Sequence, residues 1–157
     1  MSINVIETMK ISASQKRVAA FMFNPENDMQ WIGGIKEVRD ISKPPVTVGS
    51  RIHRVATFLG KEIDYILEVN DFEENHFLGM EAVKSPFPMK VSYQVDAENE
   101  SSCVVRIQLE GSTKGFFMFM DRLSTIMVGE TLKGDLRRLK EIMERSDEEK
   151  VEVEKPS

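Results

Sequence analysis

The chain has 157 residues, 41% of them apolar and 30% charged, with 21 Lys and Arg against 26 Asp and Glu. That balance fits one globular domain able to bury roughly two-thirds of its unfolded surface, and it excludes disordered and fibrous classes. A formal charge of −5 without a Lys/Arg cluster argues against a nucleic-acid surface, and a lone cysteine, Cys103, rules out an internal disulfide and argues against structural zinc. No apolar run approaches the roughly 18–20 residues of a bilayer span. Residues 1–11 lack a basic flank followed by an apolar block, so a cytoplasmic location is expected.

The elements can be taken in chain order. Ile3, Val5, Met9 and Ile11 alternate imperfectly and predict an opening strand. Ser12 or Ser14 can cap a short helix that buries Val18, Ala19, Phe21 and Met22. Asn24 to Asp28 breaks it, and Pro25 opens a second short helix ending near Trp31. Gly33 and Gly34 lead into a strand over 35–41, closed by Lys43-Pro44-Pro45. Strands over 51–58 and 62–72 follow, joined by a tight hairpin around Gly60-Lys61. Ile63, Tyr65, Leu67 and Val69 alternate with polar residues, so that strand has one wet and one covered face. Further strands are predicted over 76–83, 89–95 and 103–110, which makes seven, the last six forming an antiparallel meander.

The last element is a long helix over 116–145. Positions 118, 122, 125, 129, 132, 136, 139 and 143 share one face. Leu132, Leu136, Leu139 and Met143 make it an ordinary core stripe near the C-terminus; Met118, Arg122, Thr125 and Gly129 make it mixed and smaller near the start. Phe116, Phe119, Met120, Leu123, Ile126 and Met127 form a second apolar stripe on nearly the opposite side. A straight helix cannot bury both against one sheet. Either the segment bends near residues 121–123, or its first third covers something else. Beyond it, residues 146–157 carry −3 of the total charge and are expected to form an acidic disordered tail on a domain of residues 1–145.

Catalytic constellations are sparse. His53 and His76 have no i,i+4 partner and no visible link to a nucleophile, so surface or structural roles are expected, and no metal site or cofactor. Gly111 to Gly115 lacks phosphate-loop spacing and is expected to be a loop. Cys103, with no basic neighbour, is expected to be a small core residue. Arg122 falls on the sheet-facing stripe, where it would need a ligand carboxylate or a core acid unless a bend turns it to solvent. Ten methionines, with Trp31, Tyr65, Tyr93, Phe87 and the 116–120 run, suit either a pliable core or a pocket wall.

The order strand, two short helices, six strands, long helix is carried by local stretches. They are Ile11-Ser12-Ala13-Ser14 running to Val18-Ala19-Ala20-Phe21, Asn24-Pro25-Glu26-Asn27 with Trp31, Val48-Gly49-Ser50-Arg51, Phe58-Leu59-Gly60-Lys61, Val69-Asn70-Asp71-Phe72-Glu73 and Gly115-Phe116-Phe117. Together they resemble the START-like (SRPBCC, Bet v 1-like) superfamily over residues 3–145, in particular its polyketide cyclase/dehydrase and lipid transport group. The resemblance implies an α+β helix-grip fold, in which a curved seven-stranded antiparallel sheet grips the C-terminal helix around an apolar cavity. It implies a small hydrophobic ligand, such as a lipid, a polyketide or an isoprenoid-like molecule, lined by Trp31, Tyr65, Phe87, Met89, Tyr93, Met118, Arg122 and Thr125. No catalytic set of the cyclases maps onto the chain. The alternatives are a cyclase/dehydrase-type enzyme working inside the cavity, or a protein-interaction module using the 116–120 patch, with a homodimer possible.

Overall fold

The computed structural model describes residues 2–39, 41–43, 45–58, 60–112 and 122–154, with side chains at these positions except 2, 58, 112, 122–124 and 146–154. β1 (Ser2–Ile11) leads into α1 (Gln15–Met22), a 3-10 turn (Pro25–Asn27) and α2 (Asp28–Trp31). Six strands follow: β2 (Ile35–Arg39), β3 (Arg51–Phe58), β4 (Lys61–Glu73), β5 (Phe77–Lys84), β6 (Met89–Asn99) and β7 (Ser102–Ser112). α3 (Arg122–Glu154) comes last.

Local chemistry sets the short helices. The Ser14 hydroxyl accepts the Arg17 N–H and caps α1, whose Val18, Ala19 and Met22 are buried. The Asn24 side chain accepts the Glu26 N–H just ahead of Pro25, so the chain re-enters helical geometry at once and delivers Asp28 and Trp31, both buried, to the interior. Ser14 rather than Ser12 is thus the cap.

The seven strands form one antiparallel sheet in the order β1-β7-β6-β5-β4-β3-β2, curled into a half-barrel. β2 to β7 run as a meander, and β1 returns to pair with β7. Register shifts between β4 and β5 at Ile66/Leu67 and Val69/Asp71 bend the strands locally, as bulges do. β4 buries Ile63, Tyr65, Leu67 and Val69 and turns the intervening residues outward, matching the predicted alternation. β3 and β4 meet at a hairpin in which Gly60 has φ +81°, a left-handed conformation that a side chain would strain.

α3 lies across the concave face. Val128, Leu136, Leu139 and Met143 are buried, with Leu132 packed beside them, so the predicted core stripe faces the sheet. The Lys140 ammonium donates to the Lys10 carbonyl, and the Glu144 carboxylate accepts the Ser12 N–H, which fastens the helix to β1. Two features differ from expectation. The helix continues to Glu154 instead of ending near Arg145. In its first turns Ile126 and Met127 are 55% and 48% exposed, so the described part of the second apolar stripe is not covered. The predicted start at Phe116 and the bend near Asp121 lie outside the described residues.

Candidate functional site: a pocket between sheet and helix

Strand parity puts the site together. On β3, Arg54 and Ala56 point to the concave side; on β6, Met89 and Tyr93 do the same. These walls, with Ile63 and Tyr65 of β4, Ile107 and Leu109 of β7 and Phe87 from the β5–β6 loop, enclose a pocket of about 100 Å³. Trp31 at the end of α2 closes one side, and Thr131, Leu132 and Asp135 of α3 close another. Thr57 and Thr131 are the lining residues exposed to solvent, so the mouth opens between the end of β3 and α3. Most of the wall is apolar; the polar groups gather around Arg54.

Arg54 is 4% exposed and Asp28 1%, and a charge enclosed that deeply must be paired. Arg54 Nε donates to Asp28 Oδ2 at 2.9 Å, and Nη2 stands 2.7 Å from the same oxygen. Nη2 also donates to the Tyr93 hydroxyl at 3.3 Å. Burial raises the Asp28 carboxyl above its ordinary range, with the charge and hydrogen bond of Arg54 opposing it. For Arg54 burial acts to lower the value, but Asp28, then Tyr93 and Tyr65, outweigh it, so the guanidinium stays charged. Burial also pushes the Tyr93 phenol up to about 12 against the pull of Arg54, which keeps it neutral near pH 7.

A second buried acid lies on α3. Asp135 Oδ1 accepts the Gly33 N–H at 3.0 Å and pairs with Arg138 Nη2, while Arg138 Nε donates to the Trp31 carbonyl at 3.0 Å. This clasp ties the α2–β2 turn to the helix beside the pocket mouth. Burial raises the Asp135 carboxyl, opposed by the Gly33 N–H and by Arg138 and Arg54. Trp31 meets the Tyr93 ring edge-on, with centroids 5.4 Å apart, and its buried Nε1–H finds no hydrogen-bond partner among the described residues.

Of the residues singled out in the sequence, Trp31, Tyr65, Phe87, Met89 and Tyr93 line this one pocket. Thr125 is half-buried on α3 and is not part of the lining. Met118, the side chain of Arg122 and the 116–120 patch lie outside the described residues. Sequence reasoning missed Arg54, Asp28 and Asp135. Arg54 carried a signal, since it alternates in phase with Ile52 and Ala56 on a strand. Asp28 and Asp135 carried none, because each reads as a polar residue in a turn or on a helix.

The remaining reactive groups stand elsewhere. His53 pairs with Asp64, and His76 lies between Glu73 and Asp96 on the surface. Cys103 is fully buried on β7, and burial, with Glu98 adding to it, pushes its thiol up to about 11, in keeping with a core role. Among the described residues no cluster of three His, Cys, Asp or Glu could hold a metal ion, and no helix is long and apolar enough to cross a membrane.

Solved structures share this architecture closely. A START superfamily protein from Mycobacterium smegmatis superposes with a TM-score of 0.78 at 17% identity, over 90% of this chain and 97% of that one. The Zhui aromatase/cyclase from Streptomyces sp. R1128 gives 0.75 at 10% identity, over 92% and 95%. The major latex-like protein 151 of Panax ginseng gives 0.67 at 15% identity, over 90% and 97%. No protein-family model and no curated protein matches the chain. The chain therefore has the START/SRPBCC helix-grip fold. At such identities the likeness is one of fold.

Proposed function

We propose that the protein binds a small, mainly hydrophobic molecule in the pocket between sheet and α3, as a carrier or sensor in the cytoplasm. The observation that carries this is the combination of an apolar wall with one buried polar cluster, Arg54, Asp28 and Tyr93. Sites for small molecules have that composition: apolar surface supplies the driving force, about 25 cal/mol per Å² removed from water, and a few fixed polar groups set the orientation. The likeness to a START superfamily protein and to a major latex-like protein supports the same reading. Lipid, polyketide and isoprenoid-like molecules are the ligand classes proposed. The free, buried Cys103 accords with the cytoplasmic setting.

Filling the pocket tests the proposal. A polarity-sensitive fluorescent probe titrated into wild type should bind, and Met89→Trp and Tyr93→Trp should each weaken it by about tenfold or more, circular dichroism confirming that the fold survives. A probe affinity unchanged in both variants would count against the pocket as its site.

One observation favours a second reading, an enzyme of cyclase or dehydrase type. Asp135 is a buried carboxylate in the pocket wall whose pKa burial raises, as a general acid or base requires. The likeness to an aromatase/cyclase supports it. Under this reading Asp135→Asn retains ligand binding and loses turnover of the extracted ligand, followed by mass; under the carrier reading wild type returns that ligand unchanged.

A further inference from the structure

The polar end of the pocket has a charge balance and a set of unfilled hydrogen-bonding positions, and together they narrow the ligand. Arg54 spends Nε and Nη2 on Asp28 and Tyr93, while Asp135 spends Oδ1 on Gly33 and Arg138. None of these bonds uses Nη1 of Arg54 or Oδ2 of Asp135, and both residues line the pocket. Trp31, in the same wall, keeps a buried Nε1–H without a partner among the described residues. The lining residues thus keep a spare donor on Arg54 and a spare acceptor on Asp135, while the Trp31 Nε1–H is enclosed behind the wall. Its charge, however, is already balanced. The Arg54 guanidinium is matched by the Asp28 carboxylate in direct contact, and Asp135 is matched by Arg138. Tyr93 adds no charge.

A ligand carboxylate would bring a third buried anion into a site whose one fully buried cation is taken. The cost of desolvating it would not be returned by a new ion pair. An uncharged oxygen meets no such penalty: a carbonyl accepts from the spare Arg54 N–H, and a hydroxyl donates to Asp135. Size adds a limit. A cavity of about 150 Å³ takes one benzene ring, so a pocket of about 100 Å³ that opens at its mouth admits about one ring. We infer that the pocket selects an uncharged, oxygen-bearing ligand end about the size of one ring, with a carbonyl toward Arg54 and a hydroxyl toward Asp135, and that it rejects carboxylates. The inference rests on the proposed binding function and deepens it by naming the ligand chemistry; a free fatty acid is the ligand it disfavours most.

Three matched probes test it by isothermal titration calorimetry at pH 7: 3′-hydroxyacetophenone, 3-hydroxybenzoate and 3-ethylphenol. They share a hydroxylated ring and differ in carrying a carbonyl, a carboxylate or an apolar group. The hydroxyketone is expected to bind tightest, with the carboxylate and the ethyl compound each weaker by about tenfold or more. Asp135→Asn, which removes an anion beside the site, should narrow the preference for the ketone over the carboxylate, and Met89→Trp should abolish binding of all three. If the carboxylate binds as well as the ketone or better, or if all three agree within about threefold, the selectivity inference is overturned while the binding function stands. If binding persists in Met89→Trp, or if no probe binds at all, the pocket reading itself fails.

Discussion

Arg54 is the residue on which the interior turns. A guanidinium buried near Tyr65 and Tyr93 is tolerable because Asp28 meets it directly, and the two residues lie 26 positions apart in the chain. Breaking the pair leaves the other charge uncompensated, whereas removing both leaves a merely apolar wall. Asp28→Ala should therefore cost about 3–5 kcal/mol in urea denaturation, and the double replacement Asp28→Leu with Arg54→Met much less. A double variant as unstable as the single one would show that the pair is not the source of the loss.

A surface residue contributes to the pH response. Hydrogen bonding to Glu73 raises His76 above its ordinary 6.5, with Asp96 adding to this and slight burial opposing it. The folded form thus holds this proton more tightly than the unfolded chain does. Its stabilisation is complete below about pH 6.5 and is lost as pH rises through the raised folded value. Melting temperature should fall across that window in wild type, and the fall should be shallower in His76→Asn. An identical profile in the variant would remove His76 from the account.

At the scale of elements, the α2–β2 turn approaches the backbone of β3 closely beside the pocket. The Thr57 N–H donates to the Gly34 carbonyl at 2.8 Å, and a Cβ on Gly34 would sit 2.9 Å from the Thr57 carbonyl oxygen. Backbone cannot step aside as a flexible side chain can. Gly34→Ala should destabilise by about 1–3 kcal/mol and also weaken probe binding, because Gly34 lines the pocket. Wild-type stability and affinity in that variant would show the turn to be more yielding than its geometry implies.

The same scale shows what the sequence could disclose. Strand positions were readable because Ile63, Tyr65, Leu67 and Val69 repeat with period two, and the helix stripe because Leu132, Leu136, Leu139 and Met143 repeat with period near 3.6. The extension of α3 to Glu154 was not, since helix ends depend on caps that this acidic stretch does not display. Trp31, Tyr65, Phe87, Met89 and Tyr93, put forward on the family resemblance, all fall in the pocket lining, although their residue types alone suited a core equally well. Arg54, Asp28 and Asp135 escaped because the meaning of a buried charge depends on its partner, and partners distant in the chain meet only once the sheet has curled.

For the whole molecule, the central proposal is that one helix covers the concave sheet and leaves room for a ligand beneath it. Residues from α2, from α3, from β3, β4, β6 and β7 and from the β5–β6 loop line one pocket of about 100 Å³. Native mass spectrometry of the purified protein, wild type beside Met89→Trp, tests this most directly. Wild type should carry a small organic adduct that is released on denaturation, or accept an added hydrophobic probe one to one, and Met89→Trp should do neither. Equal loading of both proteins, or a wild type that binds nothing across a panel of hydrophobic probes, would contradict the account.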